Sequence, residues 1–95
     1  MNIEIVKEQK LAEIFKVLSE PNRIRIIEIL NQADRELTCS EVSKKLKIAP
    51  STVSYHFKVL RHAGLTKTRQ EAQTKYLSLN RATFGRYLPG FLTTL

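Results

Sequence analysis

Ser51, Ser54, Tyr55, Lys58 and His62 share one side of a helix built at about 100° per residue, and Arg61 flanks them. The set combines short hydroxyls, an aromatic ring and cations, and no carboxylate interrupts it. Such a face offers positive charge and hydrogen-bond donors, so it suits an anionic partner rich in acceptors. The major groove of DNA offers both. Tyr55 and Lys58 have the reach to meet base edges, whereas Ser51 and Thr52 lie near the helix start, where phosphate is favoured. The other side carries Val53, Phe57 and Leu60 at i, i+4 and i+7, an apolar stripe for a core. Pro50 suits the first helical position, and Ala63-Gly64 supplies a stop, so the helix is expected over 50–63.

The charge distribution supports an anionic partner. The chain has 95 residues and a formal net charge of +7. Residues 44 to 75 hold Lys44, Lys45, Lys47, Lys58, Arg61, Lys67, Arg69 and Lys75 against Glu71 alone, and the rest of the chain is neutral. A solvated basic face is the plain reading of a charge cluster. Concentration of the whole imbalance around one helix favours a polyanion-binding surface instead. A membrane surface is the weaker alternative, because the cations lack the large apolar face of an interfacial helix.

The flanking elements read as one domain over 1–95, without repeats, linkers or low-complexity tracts. A first helix is expected from about Glu4 to Leu18, with a stripe of Leu11, Ile14, Phe15 and Leu18. Ser19 is the expected N-cap of a second helix that starts at Pro21 and runs to about Asn31, broadly apolar and central. Residues 31 to 37 read as a polar loop. Thr38-Cys39-Ser40-Glu41 has the form of a capping box and starts a third helix with Val42 and Leu46 inward. Ala49 is a poor N-cap for the fourth helix, so Ser51 or Thr52 is expected to cover its free N–H groups. Residues 65–69 and 74–79 form a hairpin around 70–73. A last helix follows Asn80 and is broken near Pro89-Gly90. The class is mainly α with a small β-hairpin, in the order α-α-α-α-β-β-α: a winged helix-turn-helix.

These motifs resemble the ArsR/SmtB family of small bacterial winged-helix repressors over roughly residues 11 to 80. The stretch Leu18-Ser-Glu-Pro-Asn-Arg-Ile-Arg-Ile-Ile27 is similar to the family's Leu-x-x-Pro-x-Arg-x-x-Ile-Leu pattern, and Glu36-Leu37 matches before the third helix. Val53-Ser-Tyr-His-Phe-Lys-Val-Leu60 and then Ala63-Gly64-Leu65 resemble Val-Ser-x-His-Leu-x-x-Leu and Ala-Gly-Leu. The resemblance implies a homodimer paired through its first and last helices, with the fourth helix in the major groove. Leu11, Ile14, Phe84, Leu88, Phe91 and Leu92 are the expected interface residues; a chain this short has little core to spare for both terminal helices.

The expected DNA contacts are Ser51, Thr52, Ser54, Tyr55, Lys58, Arg61 and His62 on the helix, and Lys67, Arg69 and Lys75 on the wing. His56 flanks the apolar stripe and is expected to be a structural histidine bonded to a backbone carbonyl. No metal and no cofactor are expected. Where the family carries a Cys-x-Cys pair, this chain has Thr38 and Ser40, with Cys39 between them. Where it carries carboxylate and His ligands on the last helix, residues 81–95 contain no Asp, Glu, His or Cys. Cys39 stands in a first helical turn, where the dipole lowers a thiol pKa. Lacking a second cysteine to pair with, it reads as a packing residue.

The leading expectation is a cytoplasmic, homodimeric, sequence-specific DNA-binding repressor acting on an inverted repeat, with its effector unknown. No stretch is apolar enough to span a membrane, the N-terminus lacks a secretory core, and one cysteine fits a reducing compartment. A winged helix that meets an acidic protein is the alternative. An enzyme is not expected, because paired acids, a glycine-rich phosphate loop and Ser-His or Cys-His motifs are missing.

Overall fold

The computed structural model describes residues 3–95. Helix α1 (Ile3–Val17) leads to α2 (Pro21–Ala33), a short strand β1 (Leu37–Thr38), α3 (Cys39–Leu46) and α4 (Pro50–His62). Strands β2 (Thr66–Glu71) and β3 (Thr74–Leu79) follow, then α5 (Arg81–Tyr87) and a 3-10 turn over Phe91–Thr94. The winged helix-turn-helix order is thus present.

One core unites these elements. Ile26, Ile27 and Leu30 of α2 lie at its centre, and Ile14, Val17 and Leu18 cover them from the first helix and its end. Val42 comes from α3 and Val53, Phe57 and Leu60 from α4. Leu37, Leu77 and Leu79 close it from the sheet and Phe84 from α5. Phe15, expected on the inner stripe of α1, is instead 59 % exposed. Ile14 and Phe84, expected at a dimer interface, are 0 % and 2 % exposed. They belong to the protomer's own core and have no surface to give a second copy. Phe84 stacks on Phe91 with ring centroids 6.2 Å apart.

Several boundaries differ from the sequence reading. Ser19 does not cap α2; its hydroxyl turns back to donate to the Lys16 carbonyl at 2.6 Å. Glu20 is the N-cap, and its carboxylate accepts from the Arg23 N–H at 3.2 Å. The second helix continues to Ala33, and Asp34 ends it with φ of 51°. Part of the expected loop is a strand: Leu37 pairs with Leu77 and Thr38 with Tyr76, so the sheet has three strands in the order β1-β3-β2. The β2–β3 hairpin is also longer than expected, with pairs from Thr66↔Leu79 to Glu71↔Thr74. Its loop is Ala72-Gln73, and Ala72 takes φ of 54°. Asn80 precedes α5 but its side chain makes no capping bond.

The α3 start follows its sequence closely. Thr38 Oγ1 accepts from the Glu41 N–H at 3.2 Å, and Glu41 Oε1 accepts from the Thr38 N–H at 3.0 Å. Arg35 Nη2 donates to Glu41 Oε2 at 2.8 Å. The Arg35 bond first, and then the Thr38 backbone bond, hold the Glu41 carboxyl down from its ordinary 4.5 to about 2. A carboxyl depressed in the fold stabilises it fully above its unfolded value, and that contribution is lost as pH falls through the folded one. Glu41→Gln keeps a capping oxygen but removes the charge. The stability difference between wild type and this variant, measured by chemical denaturation, should therefore shrink as pH falls from 4.5 toward 2. A difference that stays constant over that window would contradict the assignment.

Candidate nucleic-acid interface

Helix α4 is seated by its stripe and closed at its end. Val53 and Leu60 are fully buried and Phe57 nearly so. Ala63 and Gly64 then turn the chain: the Gly64 N–H donates to the Arg61 carbonyl at 2.9 Å and the Leu65 N–H to the Leu60 carbonyl at 3.0 Å. This bond pair is the Schellman motif, which needs a left-handed residue, and Gly64 has φ of 82°. Leu60 and Leu65, the apolar pair that accompanies the motif, are both fully buried.

The start of α4 is open. Pro50 is at the first helical position, and no side chain caps the turn. Ser51 and Thr52, expected to cover it, make no capping bond, so the positive end of the helix dipole faces outward. The preceding turn is fixed from α3: the Ser43 hydroxyl donates to the Ile48 carbonyl at 2.5 Å, and Lys47 takes φ of 59°.

Ser51, Thr52, Ser54, Tyr55, Lys58, Arg61 and His62 are all exposed on the outer face of α4. His56 is buried, but its partner is not a backbone carbonyl. Arg23 Nε donates to His56 Nδ1 at 3.2 Å. That bond leaves the ring proton on Nε2, which lies 3.7 Å from Glu20 Oε2. Arg23 Nη1 also donates to the Val17 carbonyl at 3.2 Å, and its guanidinium stands 6.0 Å from the Tyr55 ring centre. One arginine thus joins the end of α1, the start of α2 and the middle of α4.

The wing register divides the three cations expected to act together. Paired residues project to the same face, so Lys75, opposite Gln70, shares a face with Thr68 and Leu77. That face turns toward α4, where Arg61 Nη1 donates to Thr68 Oγ1 at 3.4 Å. Lys67 and Arg69 project from the other face. Lys67 is exposed there. Arg69 is held in place: its guanidinium meets Glu36 at 3.0–3.1 Å and Glu71 at 2.8 Å, and stacks 4.6 Å from the Tyr76 ring centre. The Glu36 bond first, then Glu71, raises its pKa further. With its charge already matched by two carboxylates, Arg69 pins the wing to the α2–β1 loop.

Between α4 and the inner face of the wing lies an open cavity of about 290 Å³ that gathers Ser54, Lys58, Arg61 and Lys75. Ser51, Thr52, Tyr55, His62 and Lys67 lie outside its lining. Cys39 borders it, and its Sγ donates to the Pro50 carbonyl at 3.4 Å. Burial pushes the Cys39 thiol up, away from the reactive thiolate. Among the described residues, no group of three or more His, Cys, Asp or Glu is placed to hold a metal ion. Sequence reasoning missed the supporting roles of Arg23 and Glu36. Their partners, His56 and Arg69, are each 33 residues away, beyond any local spacing signal.

The chain is similar to known proteins over its whole length. A helix-turn-helix domain profile matches residues 18–69. YceK, an HTH-type transcriptional regulator of Bacillus subtilis, is 50 % identical over 95 residues, covering 100 % of this chain and 95 % of that protein. A transcriptional repressor SmtB homolog of Synechocystis is 34 % identical over 71 residues, covering 75 % of this chain and 52 % of that protein. The solved structure of reduced HlyU from Vibrio cholerae, a transcriptional activator, superposes with a TM-score of 0.70 at 30 % identity, covering 90 % and 96 % of the two chains. A homodimeric winged helix-turn-helix DNA-binding domain from Mycobacterium bovis, a possible ArsR-family regulator, gives 0.82 at 19 % identity, covering 99 % and 84 %.

Arg23→Ala should loosen the seat of α4. It leaves the half-buried Val17 carbonyl and His56 Nδ1 without their donor, a loss of roughly 1–3 kcal/mol on the scale of such deletions. Equilibrium denaturation would measure it. A variant as stable as wild type would show that Arg23 is not a structural tie.

Proposed function

The chain belongs to the ArsR/SmtB family of helix-turn-helix transcriptional regulators, and from that premise we propose that it is a cytoplasmic homodimeric repressor of an inverted-repeat operator. Residues 1–95 act as a single DNA-binding unit. Helix α4 enters the major groove, with Tyr55 and Lys58 on base edges and Ser51, Thr52 and Ser54 on nearby phosphates. Arg61 and His62 lie further along the same strand of backbone. Lys75 on the inner wing face and Lys67 on the outer one grip the flanking DNA, while Arg69 keeps the wing upright. The observation that carries this reading is the carboxylate-free outer face of α4, mounted on a fully buried stripe.

A second copy has a place to pack. Val6 and Phe15 of α1 are 46 % and 59 % exposed. Leu11, Leu88, Phe91 and Leu92 are half-buried. This apolar surface of the terminal segments supports pairing there, with Ile14 and Phe84 supporting it from beneath. The fold neighbour from Mycobacterium bovis is described as homodimeric. A two-fold dimer would place its two α4 helices in successive major grooves, roughly 34 Å apart. The family and its regulator relatives favour a binding protein over an enzyme, and no helix among the described residues is long and apolar enough to cross a membrane. Repression is favoured by the SmtB relative, activation by HlyU. A promoter-reporter measurement decides between them: deletion of the gene raises expression for a repressor and lowers it for an activator.

Selection from a random duplex pool should enrich an inverted repeat, and affinity for it should fall steeply with salt as phosphate contacts release counterions. Enrichment of no sequence would favour a protein partner over DNA. Lys58→Ala should lower discrimination between operator and random DNA by about 1–3 kcal/mol, whereas Lys67→Ala should weaken both alike and reduce the salt slope by about one. Equal losses on both duplexes for Lys58→Ala would refute the base-contact role. Phe15→Asp, at an exposed position, should convert a dimer to a folded monomer in sedimentation velocity; an unchanged dimer would move the interface elsewhere.

A further inference from the structure

The cavity between α4 and the wing has a composition that groove contact alone does not require. Its base is Phe57 and Leu77, which at 3 % and 4 % exposed are almost covered, so the apolar surface left open comes mainly from Cys39 and the aliphatic stems of the cations around it. Its rim is cationic: Lys58 and Arg61 from α4 and Lys75 from β3. Among the described residues none of these three cations has a carboxylate within salt-bridge distance, and Arg61 donates only to the neutral Thr68 hydroxyl. Lys58, Arg61 and Lys75 therefore direct uncompensated charge at one recess, beside the hydroxyls of Ser54 and Thr68. A volume of about 290 Å³ sits at the lower end for ligand sites, enough for one ring and a charged group.

We propose that this recess binds a small organic anion, with one aromatic or branched apolar body between the aliphatic stems that wall it and one carboxylate or phosphate among the Lys58, Arg61 and Lys75 charges. The sugar-phosphate backbone supplies charge but no comparable apolar body, so the apolar walls of the recess are better matched by such a molecule than by the duplex. The same cations face DNA in the proposed function, so ligand and duplex exclude each other. Occupation of the recess is then a route to release from the operator. The competition rests on that functional reading; the binding site itself does not.

Phenyl phosphate is the probe, with inorganic phosphate and phenol as controls, and amide chemical shifts of the full chain are the readout. Phenyl phosphate should shift Ser54, Lys58, Thr68 and Lys75 saturably and bind about tenfold or more tighter than either control, a tenfold step being the smallest that shows both halves of the ligand are used. Lys75→Gln should weaken it several-fold, and Lys16→Gln, on the exposed side of α1, should not. In a gel shift, phenyl phosphate should displace operator DNA, whereas phenol should not. Shifts scattered over the basic surface or equal binding of inorganic phosphate would each overturn the proposed site, and a ternary complex with DNA would overturn the competition. Saturable binding in the recess by a protein that binds no duplex would refute the DNA reading and leave the site standing.

Discussion

The structure depends on burial of one face of α4. Val53, Phe57 and Leu60 are 0 %, 3 % and 0 % exposed, and full burial of side chains of this size stabilises by roughly 1.5–3 kcal/mol each. That burial fixes the rotation of the helix about its own axis. With the rotation fixed, every residue out of phase with the stripe must face solvent, and these are the hydroxyls, Tyr55 and the cations. The other ties refine this placement. Ser43 holds the turn that leads into the helix, Gly64 closes its end, Arg23 and His56 brace its middle, and Arg61 links it to the wing through Thr68.

Carboxylates are distributed in a complementary way. Glu41 is matched to Arg35 and the Thr38 N–H, Glu36 and Glu71 to Arg69, Asp34 to Arg81, and Glu20 lies near His56. They serve caps, loops and the wing base. Among the described residues, Lys58, Arg61, Lys67 and Lys75 have no such partner. These acidic residues thus act as internal fasteners, and the field of the unpaired cations is left to attract an external anion. Arg69 shows the distinction within one strand: equal in charge to its neighbour Lys67, it is used by the fold.

Much of this was legible in the chain because the decisive signals were local. The stripe of α4, Pro50 at its start and Ala63-Gly64 at its end mark its limits to within a residue. The Thr38–Glu41 capping box marks α3. The errors came where a stronger-looking local signal competed with tertiary context. Ser19 is the better capping type, yet Glu20 has the extended backbone and the aligned carboxylate. Strand β1 is two residues long and overlaps the α3 cap, so its pairing with β3 leaves no alternation to read. The wing faces depend on a two-residue turn in which Ala72, not glycine, takes positive φ. Ile14 and Phe84 are as apolar as any interface residue, and only the packing shows that they are already covered.

The central claim is that the outer face of α4 and the wing, acting together, form the surface that meets DNA. Amide chemical-shift mapping of the full chain on addition of its selected duplex tests it most directly. The largest changes should fall in residues 50–62 and 66–75, with Ser51, Tyr55 and Lys58 foremost, and α5 should change little. Changes centred on α1 and α5, with α4 unaffected, would contradict the account.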